Sequence, residues 1–299
     1  MLATLADRFA EVTDTFTEAA AVLGYDLWSL VQQGPAERLD ETVVTQPAML
    51  TAGVATWRAW QAAGGKSPAY MAGHSLGEFT ALVCAGALPF ADAVQLVRRR
   101  AELMQEAVPA GQGAMAAILG LDDDTVIEAC RSAAQGQVVS AVNFNSPGQV
   151  VIAGERAAVE RAVEQAKAAG AKRALLLSVS VPSHCELMRP AAEELAASLA
   201  VAPFSKPTIP VIGNADVNIY EDADQIRRGL TRQLYSPVRW AESIRDLIAC
   251  GTTTLIECGP GKVLTGLSKR IDRNVTAMFI DTPEAMAAAI ADSNDRHYS

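Results

Sequence analysis

The run of residues 113–179 constrains the fold more than any other part of the chain, because strand-like and helix-like patterns alternate along it. Runs rich in aliphatic residues predict strands, and apolar residues at helical spacing predict helices. In chain order the predicted elements are a strand at 114–119, a helix at 122–134, strands at 138–145 and 149–153, a helix at 155–169 and a strand at 172–179. This βαββαβ order is that of the ferredoxin-like unit.

The residues on either side of that run follow a different pattern. Residues 1–66 are predicted to be helical, with Gly24 as a helix stop. The other predicted elements are helices at 46–63, 76–87 and 90–108, and short buried strands at 69–73, 208–212, 253–257 and 276–280. We therefore expect an α/β fold in which a large domain, residues 1–111 and 182–299, carries residues 112–181 as an insert.

Composition excludes several classes of protein. No apolar stretch approaches the roughly 18 residues that a membrane span needs, and the start of the chain does not resemble a secretory signal, so we expect a soluble cytoplasmic protein. The formal net charge of -9 argues against a nucleic-acid partner. The five cysteines are scattered and include no CxxC pair, which favours free thiols over disulfides or a zinc site.

A G-x-S-x-G motif, Gly73-His74-Ser75-Leu76-Gly77, lies between a predicted strand and a predicted helix. A serine on such a sharp turn projects its hydroxyl clear of the sheet. The free N–H groups at the start of the helix, beginning with Leu76, could then hold a developing oxyanion. The alternative is a glycine-rich turn without chemistry.

A serine nucleophile needs a base, and the chain has three histidines. His74 is adjacent to Ser75, so its side chain leaves the turn in another direction, and His297 lies in a polar tail. His184 remains, in the sequence Val181-Pro182-Ser183-His184-Cys185, and serine before histidine is the chain order of α/β-hydrolases. A packed structural histidine is the alternative.

Six segments together resemble the malonyl-CoA:acyl carrier protein transacylase family of bacterial fatty-acid synthesis. They follow in the family's order over nearly the whole chain: GHSLGEF, the arginine at position 100, VNFNSPGQVVIAG, VPSHC, RQLYSPVRW and ECGPGKVLTGL. The resemblance implies an α/β-hydrolase-like large domain with an inserted ferredoxin-like domain. It also implies an acyltransferase with no metal or redox cofactor.

The resemblance assigns roles to four residues. Ser75 would attack the malonyl thioester, His184 would act as general base and then general acid, and the backbone carbonyl of Gln233 would orient the histidine. Arg100 would bind the free carboxylate of malonyl, a task that suits a planar guanidinium with two parallel donors. From the residues alone, an arginine within Arg98-Arg99-Arg100 is more typical of a solvated helix face.

Other assignments depend on weaker signals. Asn143 and Asn145 match positions that line the mouth of the family's cleft, but both could be turn formers. Lys172 and Arg173 could meet an acidic carrier protein, or could form a solvated strand end. The glycine-rich residues 259–262 open a predicted helix and could meet phosphate, although they lack P-loop spacing and a turn is the stronger prediction.

We therefore expect malonyl to pass from malonyl-CoA to Ser75 and then to the phosphopantetheine thiol of acyl carrier protein, in a monomeric enzyme. Two alternatives remain. A serine thioesterase or esterase would use the same nucleophile, but a hydrolase of neutral acyl chains has no use for Arg100. A non-catalytic protein that binds coenzyme A or the carrier would need neither Ser75 nor His184.

The sequence departs from the family at one point. Family members begin with a strand that ends in a Gly-Gln-Gly-Ser-Gln segment, whose first glutamine donates a hydrogen bond to the oxyanion. The present sequence has no such segment, and Gln32 lies in a different context. We expect either a natural product longer than this sequence or an oxyanion hole that lacks one donor.

Overall fold

The computed structural model describes residues 1–109, 111–178 and 181–295. The helices are α1 Ala3–Ala6, α2 Ala10–Leu23, α3 Leu27–Gln33, α4 Ala36–Leu39, α5 Thr42–Ala62, α6 Gly77–Cys84, α7 Phe90–Ala107, α8 Asp123–Ala134, α9 Arg156–Ala168, α10 Arg189–Val201, α11 Ala223–Gln233, α12 Trp240–Ala249, α13 Val263–Ile271 and α14 Pro283–Asp295, with a 3₁₀ turn at Glu186–Met188. The strands are β1 Met71–Ala72, β2 Gly113–Leu119, β3 Val139–Ser146, β4 Gln149–Glu155, β5 Arg173–Leu176, β6 Val211–Ile212, β7 Thr254–Glu257 and β8 Thr276–Phe279.

The chain up to β1 is helical, as predicted. Helix α2 ends at Gly24, whose φ of 79° places it in the left-handed region that favours glycine at a helix C-terminus. Helix α5 begins at Thr42 rather than at the predicted residue 46, so Pro47 lies inside the helix and not at its start. This long helix is buried along most of its length and packs against α2 and α7, which makes it the centre of the largest hydrophobic core.

The predicted βαββαβ unit is confirmed. Its strands form one antiparallel sheet in the order β3-β4-β2-β5, and α8 and α9 pack together against one face of that sheet. Alternate strand residues such as Ala116, Ile118 and Ile152 face the helices, as the two-residue period of a strand requires. Strand β5 is shorter than the predicted 172–179, and residue 179 lies outside the described residues.

One turn of this unit differs from expectation. Asn143 and Asn145 both lie within strand β3, so the alternative that they are turn formers is wrong. The chain reverses at Pro147 and Gly148, where Gly148 has a φ of 71°. Strand β3 continues to the turn because β4 pairs with it up to Ser146, across two irregularities in register.

The large domain contains two parallel strand pairs, β1 with β6 and β7 with β8. Strands β1 and β6 are shorter than predicted. The backbone N–H of Met71 still donates to the carbonyl of Pro210 at 2.8 Å, but Pro210 has no N–H to extend the ladder. The predicted burial holds for β6 and is wrong for β1 and β7, whose residues are half-buried. In β8 it holds only for Ala277.

The small sheet is joined to the large domain through β3. Phe144 N–H donates to Val238 O at 3.0 Å, and Val238 N–H donates to Val142 O at 2.8 Å. The sheet face opposite α8 and α9 packs against Cys185, so the small domain supports the segment that carries His184. The domain boundaries at residues 112 and 181 stay a prediction.

All five cysteines are free, as predicted. Within the described ranges, no helix is long and apolar enough to cross a membrane. No group of three or more metal-ligating side chains occurs in that same part of the chain.

Candidate active site

Ser75 lies on a tight turn between β1 and α6. Its φ of 52° places it in the left-handed region, which non-glycine residues rarely adopt. The turn is tight because Gly73 packs directly on the backbone of Gly77, where a Cβ on Gly73 would lie 1.9 Å from the Gly77 carbonyl carbon. The glycine at position 73 is therefore required by close backbone approach, and the serine projects from the apex.

His184 lies beside Ser75. The Ser75 hydroxyl donates to His184 Nε2 at 2.7 Å, and His184 Nδ1–H donates to the backbone carbonyl of Gln233 at 2.7 Å. Because a carbonyl can only accept, this contact fixes the tautomer that leaves Nε2 free to take a proton. Burial, and secondly the charge of Arg100, lower the pKa of His184 to about 3, so the imidazole is neutral at pH 7.

Arg100 points into the same cluster from helix α7 and is only 2% exposed. Its Nη1 donates to Gln46 Oε1 at 2.7 Å, and its Nη2 donates to Gln233 Oε1 at 3.0 Å and to Ser75 Oγ at 3.3 Å. Burial lowers the pKa of Arg100 to about 10, against a smaller opposing effect of the Glu78 charge, so the guanidinium stays charged at pH 7. Its buried Nε has no hydrogen-bond partner among the residues described.

The neighbouring arginines differ from Arg100. Arg98 and Arg99 are partly exposed and form ion pairs with Glu102, and Arg99 also pairs with Glu194. The prediction of a solvated helix face is therefore confirmed for Arg98 and Arg99 and is wrong for Arg100. A helical signal could have separated them, since Arg100 lies three residues after Val97 and four before Met104, both of which are buried.

The start of helix α6 presents a free donor next to Ser75. Gly77 N–H and Glu78 N–H donate to the carbonyls of His74 and Ser75, at 2.9 and 3.1 Å. Leu76 N–H donates to no acceptor within the described part of the chain. It is the backbone group available to a negatively charged oxygen at this turn.

Sequence reasoning missed three residues of this cluster: Gln46, Glu78 and Asn214. Gln46 accepts from Arg100, and Asn214 Oδ1 accepts from Ser75 N–H at 2.7 Å. Glu78 is fully buried, and its carboxylate accepts from Tyr220 OH, Gln233 Nε2 and Asn214 N–H. The only local signal was a carboxylate on an apolar helix directly after the serine motif.

The remaining predicted residues lie outside this cluster. His74 Nε2 donates to Asn145 Oδ1 at 2.8 Å, so His74 does point away from the serine. Asn143 Oδ1 is buried without a hydrogen-bond partner among the described residues. Lys172 and Arg173 are exposed at the start of β5. His297 lies outside the described residues.

The glycine-rich residues 259–262 form a turn, as predicted. Helix α13 follows, and two of the N–H groups at its start are occupied: Leu264 and Thr265 donate to the Glu257 carboxylate at 3.1 and 2.7 Å. A phosphate would compete with Glu257 for these two donors, so the contacts favour the turn over a phosphate site.

Comparison with known proteins shows which family the chain belongs to. The sequence pattern of the family described as acyl transferase domain matches residues 1–280. The chain belongs to this family. A malonyl CoA-acyl carrier protein transacylase of Escherichia coli (strain K12) is 61% identical over 290 residues, which are 97% of this chain and 94% of that protein.

Solved structures agree with this placement. A malonyl-transacylase in complex with a type II PKS acyl-carrier protein superposes with a TM-score of 0.97 at 57% identity, over 98% of this chain and 94% of that one. An acyl carrier protein S-malonyltransferase from Vibrio cholerae superposes with a TM-score of 0.94 at 58% identity, over 96% of this acyl transferase and 94% of its own chain. The resemblance predicted from the sequence and the predicted fold class are both confirmed.

Proposed function

We propose that this acyl transferase moves a malonyl group from malonyl-CoA to the phosphopantetheine thiol of an acyl carrier protein, through an ester on Ser75, and so supplies fatty-acid elongation. The observation that carries the proposal is a buried guanidinium 3.3 Å from the serine hydroxyl. A cation in that place suits an acyl group that ends in a carboxylate. The relatives described above carry the same activity in their names.

The geometry supports a two-step exchange. His184 Nε2 takes the proton of the Ser75 hydroxyl while Oγ attacks the thioester carbonyl, and Leu76 N–H donates to the oxygen that becomes negative. When the carbon–sulfur bond breaks, the thiolate of coenzyme A takes the proton from His184. The carrier thiol then gives its proton to His184 and attacks the seryl ester; as the bond between the acyl carbon and Oγ breaks, Oγ takes that proton back from His184, which restores Ser75 and the neutral imidazole.

Arg100 supports a dicarboxylic acyl group over a neutral one. Gln46 and Gln233 hold the two Nη atoms from two sides, and the unpartnered Nε is a donor that a substrate carboxylate would satisfy. Leaving a charged group buried without a full set of acceptors costs free energy, which a malonyl carboxylate would recover. A thioesterase for neutral chains would have that cost without the gain.

Gln233 supports transfer over amide hydrolysis. The group that orients His184 is a neutral carbonyl, which stabilises an imidazolium less than a buried carboxylate would. A neutral partner is sufficient for a thioester, because the thiolate is a good leaving group.

Exposed cations support the docking of an acidic carrier. Lys172 and Arg173 lie on the small domain, and Lys172 lines a concavity of about 670 Å³ together with Arg270, although the chain as a whole has a net charge of -9. Asn143 and Asn145 lie on β3, the strand that contacts the large domain at Val238. We place the enzyme in the cytoplasm as a monomer, with the domain division at residues 112 and 181.

Mass spectrometry after brief mixing with malonyl-CoA tests the proposal. We expect a malonyl adduct on Ser75 that persists in water and disappears when carrier protein is added, and no adduct in Ser75→Ala. An adduct on Cys185 or another thiol would overturn the assignment of the nucleophile. Rapid loss of the adduct in water without a carrier would identify a hydrolase.

A further inference from the structure

Glu78 is a buried carboxylate that the two-step exchange does not use. It has no exposed surface, and no direct ion pair of Glu78 occurs within the described ranges. Its Oε1 accepts from Tyr220 OH, and its Oε2 accepts from Gln233 Nε2 at 2.8 Å and from Asn214 N–H at 3.0 Å. A carboxylate that accepts from three buried donors holds all of them in place.

The contact with Gln233 leads to Arg100. Glu78 can only accept when ionised, so it fixes the nitrogen end of the Gln233 amide toward itself and the oxygen end toward Arg100 Nη2. The opposite amide orientation would place two donors, Gln233 Nε2 and Arg100 Nη2, against each other. Glu78 and the Ser75 carbonyl, which also accepts from Nε2, therefore together determine that Gln233 presents an acceptor to the guanidinium.

The contact with Asn214 leads to the serine turn. Asn214 Oδ1 accepts from Ser75 N–H at 2.7 Å, and its Nδ2 donates to Gly73 O at 2.7 Å. Gln233 Nε2 also donates to Ser75 O at 2.9 Å. The backbone on both sides of Ser75 is thus bonded to the side chains of Asn214 and Gln233, and Glu78 accepts from the backbone N–H of Asn214 and from Nε2 of Gln233.

We propose that Glu78 is a positioning residue for malonyl transfer, which acts on Arg100 through the Gln233 amide and on the Ser75 turn through Asn214. The inference rests on the function proposed above. Burial raises the pKa of Glu78, and the hydrogen bonds from Tyr220, Gln233 and Asn214 oppose that effect. The three donors are arranged to bind the ionised form.

Three substitutions separate positioning from bulk stability. Glu78→Leu keeps the approximate size of the side chain and removes every acceptor. Glu78→Gln can keep its oxygen toward Gln233 and Asn214 and turn its amide toward Tyr220, whose hydroxyl can accept instead of donate. Tyr220→Phe is the matched control, because it removes one donor to Glu78 and leaves the path to Arg100 intact.

The measurement is the rate of Ser75 acylation with malonyl-CoA and with acetyl-CoA, together with the thermal midpoint of each variant. For Glu78→Leu we expect about a 100-fold loss with malonyl and about a tenfold loss with acetyl, since Gln233, which positions Arg100, and Asn214, which holds the Ser75 turn, both lose the carboxylate as an acceptor. For Glu78→Gln we expect malonyl acylation within about tenfold of the wild type. For Tyr220→Phe we expect a lower midpoint and an unchanged malonyl-to-acetyl ratio.

The inference is overturned by a folded Glu78→Leu variant that keeps the wild-type malonyl-to-acetyl ratio, or by a Tyr220→Phe variant that loses that ratio to the same extent. Where Glu78→Leu does not fold, Glu78→Asp decides. This substitution keeps the charge but moves the carboxylate away from Gln233. It must lower the malonyl-to-acetyl ratio of acylation rates for the inference to hold. A wild-type protein that forms no seryl adduct would contradict the proposed function instead.

Discussion

Two strand-turn-helix corners of the large domain have similar glycine-containing turns, but the backbone donors at the two helix starts have different partners. The open corner, residues 73–77, joins β1 to α6, and the closed corner, residues 257–265, joins β7 to the start of α13. Both have two glycines in the turn and backbone donors at the start of a helix. At the open corner Leu76 N–H has no acceptor in the part of the chain that the structure describes, whereas at the closed corner Glu257 accepts from Leu264 N–H and Thr265 N–H.

The comparison shows that a glycine-rich turn before a helix does not by itself make a site. At the closed corner the carboxylate precedes the turn on its own strand and reaches the helix start. At the open corner the carboxylate, Glu78, lies inside the helix and bonds Asn214, Gln233 and Tyr220 instead. The position of one acid along the chain therefore decides whether a carboxylate of the chain itself occupies donors at the helix start.

Removal of the base should have the largest effect on the open corner. In His184→Ala we expect Ser75 acylation by malonyl-CoA to fall by about 10² to 10⁴, because both proton transfers depend on Nε2. The measurement is single-turnover adduct formation. His74→Ala is the matched control, with a much smaller loss expected since His74 bonds Asn145. A full rate in His184→Ala would show that another group is the base.

Removal of the buried Arg100 cation should slow acylation by malonyl-CoA far more than acylation by acetyl-CoA. In Arg100→Met we expect a loss of about 2 to 5 kcal/mol in transition-state stabilisation with malonyl-CoA and little change with acetyl-CoA, because only malonyl has the second carboxylate. Arg99→Met tests the neighbouring position, where the side chain is partly exposed. Equal losses with both substrates in Arg100→Met would make Arg100 a structural residue.

Removal of the acid at the closed corner should affect stability alone. In Glu257→Ala we expect the free energy of unfolding to fall by about 1 to 3 kcal/mol, because Leu264 and Thr265 N–H lose their acceptor. Urea titration measures this loss, and Glu257→Gln should lose less because it keeps one oxygen. If the acylation rate falls while the stability is unchanged, the closed corner belongs to the site. The contrast between the open and the closed corner would then be wrong.

The pH dependence should show the smallest effect. The pKa of His184 is held near 3 by burial and then by Arg100, so acylation should persist below pH 6.5, the ordinary pKa of histidine. The rate falls only as pH drops through the lowered pKa, because the base must be neutral. In Arg100→Met the positive charge that helps to lower the pKa of His184 is absent. The loss of rate at low pH should therefore begin at a higher pH. If the rate falls at the same pH in the wild type and in Arg100→Met, Arg100 does not lower the pKa of His184.

Much of the fold could be predicted from the sequence, because it depends on local periodicity. The βαββαβ order and the helical start follow from patterns within each segment. The lengths of β1 and β6 and the exposure of β1 and β7 were not predicted, since they depend on which distant strand pairs with them. The ladder at β6 is also limited by Pro210, whose missing N–H could have predicted a shorter strand from the sequence.

The candidate site divides in the same way. Ser75, His184 and Arg100 could be predicted because each lies in a recognisable segment, and the structure brings them together. Gln46, Glu78 and Asn214 could not, because their contacts join residues that are far apart in the chain. Which face of α6 is buried, and what meets it there, is a property of the packed molecule.

The backbone at the proposed nucleophile and base has a consequence for how the protein can change. Ser75 and His184 both adopt positive φ, at 52° and 65°, where glycine would be more stable by about 1 to 2 kcal/mol each. Random substitution followed by selection for thermal stability alone should therefore accept glycine at Ser75, whereas the buried imidazole of His184 offsets the backbone gain at the second position. A more heat-resistant molecule obtained in that way would retain its shape and lose its reactivity.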